Sequence, residues 1–134
     1  MSDLLVDSNV ILDIVLDDPE WADWSLTTLT WYGASNALYI NPIIYTEVSI
    51  GFKSIEQLEN VIERAGFKML ELPREALFLA GKVFLQYRKN KGTWRSPLPD
   101  FFIGAHAAVL EVGLITRDVA RYSTYYPTVR LITP

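Results

Sequence analysis

The sequence predicts an α/β fold in which parallel strands are joined by helical crossovers, and three observations carry that expectation. Short apolar runs such as LLVD, LYI and LITR alternate with longer segments of helical period, the pattern of a sheet whose strands are linked through helices. No repeat, low-complexity stretch or linker breaks the alternation, so residues 1–134 read as a single domain. A chain of 134 residues that is 50% hydrophobic is also long enough to bury roughly two-thirds of the surface it exposes when unfolded.

Each element follows from local chemistry. Leu4 to Asp7 reads as the first strand, and Asn9 to Leu16 as a helix that must stop before Pro19. A second helical stretch runs from about Trp21 to Trp31. Leu38 to Ile40 is the second strand, and Pro42 suits the first position of the helix that follows it. Ser54 to Ala65 is an amphipathic helix expected to turn Ile55, Leu58, Val61 and Ile62 inward. Met69 to Leu72 supplies a third strand and Glu75 to about Lys89 a long helix. Pro97 and Pro99 then mark a loop before a helix from about Asp100 to Val112. Leu114 to Arg117 is a fourth strand, a short helix carries Tyr122, and Val129 to Ile132 ends the chain as a fifth strand.

Composition narrows the function classes. The absence of cysteine excludes disulfides and thiolate metal sites and agrees with a reducing compartment. Asp7, Asn9 and Asp13 interrupt the apolar residues near the start, and no basic segment precedes them. Neither a signal peptide nor a membrane span is therefore expected, and the protein should be cytoplasmic. The net charge of −4 is unevenly spread: no Lys or Arg precedes Lys53, and Lys82, Arg88, Lys89, Lys91 and Arg95 form a run without an intervening acid. That run is either a solvated helix face and loop or a patch that steers phosphates toward an acidic site.

Four acids fall on one edge of the expected sheet. In a right-handed crossover unit the helix runs antiparallel to its strands, so helix N-termini share an edge with strand C-termini. Open α/β sheets bind ligands at that edge. Asp7 ends the first strand, Asp118 follows the fourth, Asp100 starts the helix before it, and Glu47 lies in the first turns of the helix after the second strand. Asp7, Asp100 and Asp118 each also read as helix caps, and Ser8 and Asn9 are as able as Asp7 to cap the helix that follows them. Glu47 resists such a reading. It is the only charged residue between Asp23 and Lys53, and a lone carboxylate in apolar surroundings is costly unless a cation or hydrogen-bond donors meet it. Clustered carboxylates raise one another's pKa values and persist mainly where a cation neutralises them. Hard oxygen donors suit Mg²⁺ or Mn²⁺, and the implied chemistry is phosphodiester hydrolysis.

The segments LLVDSN, TEV and LPDFFIGAHAAVLEVGLITRD, with the ending YYPTVRLITP, together resemble the PIN domain and, within it, the VapC-type toxins of toxin–antitoxin pairs. The resemblance covers essentially the whole chain. It implies a three-layer α/β/α fold with a mostly parallel five-stranded sheet in the order 3-2-1-4-5. It also implies an endoribonuclease dependent on Mg²⁺ or Mn²⁺, with Asp7, Glu47, Asp100 and Asp118 as the acidic quartet. Asp7, Asp100 and Asp118 are then the metal ligands, and Asn9 and Thr116 the supporting polar positions. A cognate antitoxin whose tail covers the groove, an RNA substrate and a homodimer are implied in the same way. Arg117 takes no role on this basis.

Other residues carry less. His106 is the only histidine, which excludes a two-histidine ribonuclease mechanism, and helical spacing turns it away from Asp100. Trp21, Trp24, Trp31 and Tyr32 read as core residues or as a partner surface. No dinucleotide, P-loop or serine-hydrolase motif occurs. Two rival readings stand beside the nuclease: a receiver-like signalling domain that binds Mg²⁺, and a non-catalytic PIN-like module that binds protein or RNA.

Overall fold

The computed structural model describes residues 3–90, 92–93 and 98–134. Pro97 and the basic residues Lys91 and Arg95 lie outside the described residues. The elements, in chain order, are β1 (Leu4–Val6), α1 (Ser8–Val15), α2 (Ala22–Gly33), β2 (Leu38–Ile40) and α3 (Pro42–Val48), with a 3-10 turn at Ser49–Gly51. After them come α4 (Ile55–Ala65), β3 (Lys68–Met69), α5 (Arg74–Lys89), α6 (Pro99–Leu110), β4 (Gly113–Ile115), α7 (Ala120–Tyr125) and β5 (Leu131–Ile132).

The strands form one sheet in the order β3-β2-β1-β4-β5, and every pairing is parallel. Leu4 faces Leu38 on one side and Gly113 on the other. Leu4, Leu5 and Val6 are all buried in succession. Because neighbouring strand residues point to opposite faces, β1 is covered by helices on both. The order 3-2-1-4-5 matches the expected fold, and it differs from the 2-1-3-4-5 order of receiver domains. The receiver reading is thereby excluded.

Caps explain several boundaries. Asp7 begins α1 by accepting from the Ser8 N–H at 2.7 Å, and Asn41 begins α3 by accepting from the Ile44 N–H at 2.8 Å, with Pro42 in the first turn. Ser54 begins α4 and Gly66, at φ 75°, ends it. Asn41 also ties helices together. Its Oδ1 is committed to the cap, so its Nδ2 donates to His106 Nδ1 at 3.0 Å, linking α3 to α6. Burial lowers the His106 pKa, so the ring is neutral and packs in the core, consistent with its turning away from the acids.

Three expectations are corrected. β3 starts at Lys68 and ends at Met69 instead of running from Met69 to Leu72; Pro73 and the early start of α5 shorten it. Ile55 is 63% exposed because it opens α4, where a side chain leans back beyond the helix N-terminus instead of under it. Leu58 alone is fully buried on that face, with Ile62 packed beside it. Trp31 is 74% exposed, while Trp24 and Tyr32 pack on the core, so the tryptophans are not one cluster.

Candidate active site at the carboxyl edge of the sheet

Asp7 is the centre of the site. It follows β1 directly and is only 3% exposed. Its Oδ1 accepts from the Ser8 N–H, and its Oδ2 accepts from Thr116 Oγ1 at 2.7 Å and from Tyr122 Oη at 3.0 Å. Thr116 immediately follows β4, the strand beside β1, and Tyr122 comes from α7. Burial raises the Asp7 pKa from 3.8 to about 6, and the charge of Asp100 adds to the rise; the hydrogen bonds from Thr116, Tyr122 and Ser8 oppose it without cancelling it.

The other acids are joined to Asp7 through hydroxyls and through charge. Ser8 Oγ donates to Glu47 Oε1 at 2.8 Å while lying 3.4 Å from Asp7 Oδ1. Tyr122 Oη, bonded to Asp7, lies 3.4 Å from Asp100 Oδ1. Glu47 is raised by burial and by the Asp100 charge, against the Ser8 bond. Asp100 is raised by burial and then by Asp118, against Arg121 and Tyr122. Tyr122 is pushed well above its ordinary 10, first by burial and then by Asp7 and Asp100, so it stays a donor. Asp118, three residues beyond β4, is held by its own N–H, which donates to Thr116 Oγ1 at 3.0 Å. The four acids thus share one edge, where the charge of Asp100 acts on Asp7 and Glu47 and that of Asp118 acts on Asp100. Among the described residues, however, no three of His, Cys, Asp or Glu are drawn to a common metal-binding point.

Asn9 and Thr116 sit beside Asp7. Asn9 Nδ2 reaches Asp7 Oδ2 at 3.5 Å and Thr116 Oγ1 at 3.4 Å, and its Oδ1 accepts from the Arg117 N–H at 3.3 Å. Sequence reasoning missed four contributors: Ser8, Tyr122, Arg121 and the Asp13–Arg117 pair. Arg121 Nη1 bonds Asp100 Oδ2 at 3.2 Å. Arg117 grips the buried Asp13 with two bonds of 2.6 and 2.7 Å, and Ser25 Oγ adds a third at 2.8 Å. Arg117 also lies over the Trp21 ring, 5.2 Å from its centroid. Asp13 was a readable signal, being an acid on the apolar face of α1.

A model of the PIN domain matches residues 4–124. The chain belongs to the PIN-domain family. Comparison with curated proteins gave no match. Among solved structures, the PIN domain resembles a chain of VapBC2 from Rickettsia felis, bound there to a promoter DNA fragment, with 16% identity and a TM-score of 0.74 over 100% of this chain and 99% of the other. A chain of DNA-bound VapBC from Salmonella typhimurium gives 18% identity and a TM-score of 0.72 over 99% and 98%. One from a toxin–antitoxin complex of Klebsiella pneumoniae gives 22% and 0.69 over 98% of each chain. At these identities the likeness is one of fold. No helix among the described residues is long and apolar enough to cross a membrane.

Proposed function

We propose that this PIN domain is a divalent-metal-dependent endoribonuclease and the toxin of a toxin–antitoxin pair. The observation that carries the proposal is a buried carboxyl, Asp7, held at about pKa 6 beside three further acids on one sheet edge. Such an arrangement is strained until a cation meets it. Oxygen-only donors fit Mg²⁺ or Mn²⁺, and because Mg²⁺ keeps several waters the acids need not all converge on one point. Asp7, Asp100 and Asp118 would hold the ion. The chemistry supplied there is activation of a water and stabilisation of charge on the leaving oxygen. The chain's own groups do the rest. Ser8, Thr116 and Tyr122 fix both oxygens of Asp7, and Glu47, its pKa raised and its Oε1 pinned by Ser8, takes a proton from the attacking water at Oε2. Purified protein should cleave RNA with Mg²⁺ or Mn²⁺ and stop in EDTA, and Asp7→Asn or Asp100→Asn should each slow cleavage by about a hundredfold or more. Cleavage undiminished in both variants would remove the assignment.

An apolar groove supports the partner half of the proposal. Its volume is about 440 Å³, and Ile11, Ile14, Leu26, Leu29, Val61 and Phe67 line it between α1, α2 and α4. An antitoxin segment with apolar side chains fits this groove, while a Lys or Arg of its tail neutralises the acids. Replacing every cation of that tail should abolish inhibition and its salt dependence; inhibition that survives contradicts this mode. A second copy of the chain would cover Leu77, Phe78 and Leu85, which α5 leaves exposed.

A further inference from the structure

We propose that the groove between α5 and α7 is a subsite for an unpaired nucleotide of single-stranded RNA, with Arg121 on its phosphate and Tyr125 against its base. The proposal rests on the nuclease reading and assigns the residues that would hold the strand beside the acids. The groove has a volume of about 420 Å³ and is lined by Tyr87, Asp118, Ala120, Arg121, Thr124 and Tyr125. It opens directly from the acidic edge, because Asp118 belongs to the quartet and Arg121 is bonded to Asp100.

The lining has the chemistry that single strands need: a cation on the backbone path and aromatic faces for unstacked bases. Among the described residues, Arg121 is the only cation within ion-pair distance of a quartet acid. It is partly exposed, and its bond to Asp100 is long for a charged pair. Were the charge of Asp100 neutralised, that attraction would weaken and leave the guanidinium able to meet a phosphate. The aromatic wall is closely packed. Tyr87 packs 5.5 Å from Phe101 and 5.9 Å from Phe84, and Tyr125 lies 6.0 Å from Tyr87 and 5.8 Å from Phe101. Gly92 presses on the Tyr87 ring so closely that a Cβ there would fall 2.3 Å from it. A duplex offers this wall no free base.

Fluorescence anisotropy of the full chain with a labelled single-stranded oligoribonucleotide tests the subsite, with Ca²⁺ replacing Mg²⁺ so that the strand stays intact. Arg121→Gln should weaken binding about tenfold and lower the slope of log K against log salt by about 0.7, one phosphate's worth for a single strand. Arg121→Lys should restore part of both. Tyr125→Leu, which keeps bulk but removes the aromatic face, should weaken binding about fivefold or more, and thermal melts of each variant exclude misfolding. Parent-like binding by folded Arg121→Gln and Tyr125→Leu overturns the subsite, as does a duplex that binds as tightly as the single strand. Either result leaves Mg²⁺-dependent cleavage by the parent standing. Weakened binding by both variants without any cleavage by the parent supports the subsite and counts against the nuclease.

Discussion

A carboxyl that is 3% exposed loses nearly all of its hydration, and the donors that meet Asp7 return only part of what burial removes. Its folded pKa of about 6 stands above the unfolded value near 3.8. The folded chain therefore holds more protons in that interval. The contribution of Asp7 to stability is fully present below about pH 3.8 and is lost as pH rises through 6, by about 3 kcal/mol in metal-free protein. Asp7→Asn keeps the cap on α1, since Asn caps as well as Asp, but removes the titration. Urea melts in EDTA at pH 4 and pH 7 should show a decline in the parent that is much smaller in Asp7→Asn; equal declines contradict the assignment. At this scale the sequence was partly legible. The four acids stand out by position along strands and helices, whereas Asn9 and Thr116 came from the resemblance. Ser8 and Tyr122 do not stand out, because nothing in a linear pattern says that a hydroxyl on α7 reaches a carboxyl on β1, 115 residues away.

Among the elements, α1, β4 and α2 are fastened by a charge rather than by apolar packing alone. Asp13 is buried, and Arg117 meets it with two bonds while Ser25 supplies a third. The same Arg117 precedes Asp118, so the clasp fixes where the β4 end points. Removing one partner of such a pair leaves an uncompensated buried charge. Arg117→Met should destabilise by about 2–3 kcal/mol, less than a fully buried pair because the guanidinium is partly exposed. Adding Asp13→Asn should recover part of the loss. A denaturant midpoint unchanged in Arg117→Met contradicts the clasp. Apolar periodicity revealed the existence of nearly every element, yet it misplaced β3 and Ile55. Two residues of ladder are too few for a pattern of period two, and a residue in the first turn of a helix escapes the face its spacing assigns.

At the scale of the whole molecule, the sheet order brings the C-termini of β1, β2 and β4 together and aligns the N-terminus of α6 with them, while Glu47 reaches the same edge from the last turn of α3 through Ser8. This topology brings to one edge acids that are up to 111 positions apart in the chain. Alternating patterns predict parallel strands and a shared edge, but the order 3-2-1-4-5 came from resemblance. Periodicity cannot rank neighbours in a sheet. The central claim is that Asp7, Glu47, Asp100 and Asp118 form one cation site, and binding of an ion to the folded state alone must stabilise that state. Thermal melts of the parent and of Asp7→Asn, in EDTA and with rising Mg²⁺, test this most directly. The parent's Tm should climb with Mg²⁺, on the order of 5–10 °C at a hundredfold excess over Kd, while Asp7→Asn should be more stable than the parent in EDTA and shift little. A parent that does not respond to Mg²⁺, or a variant that shifts as far as the parent, would contradict it.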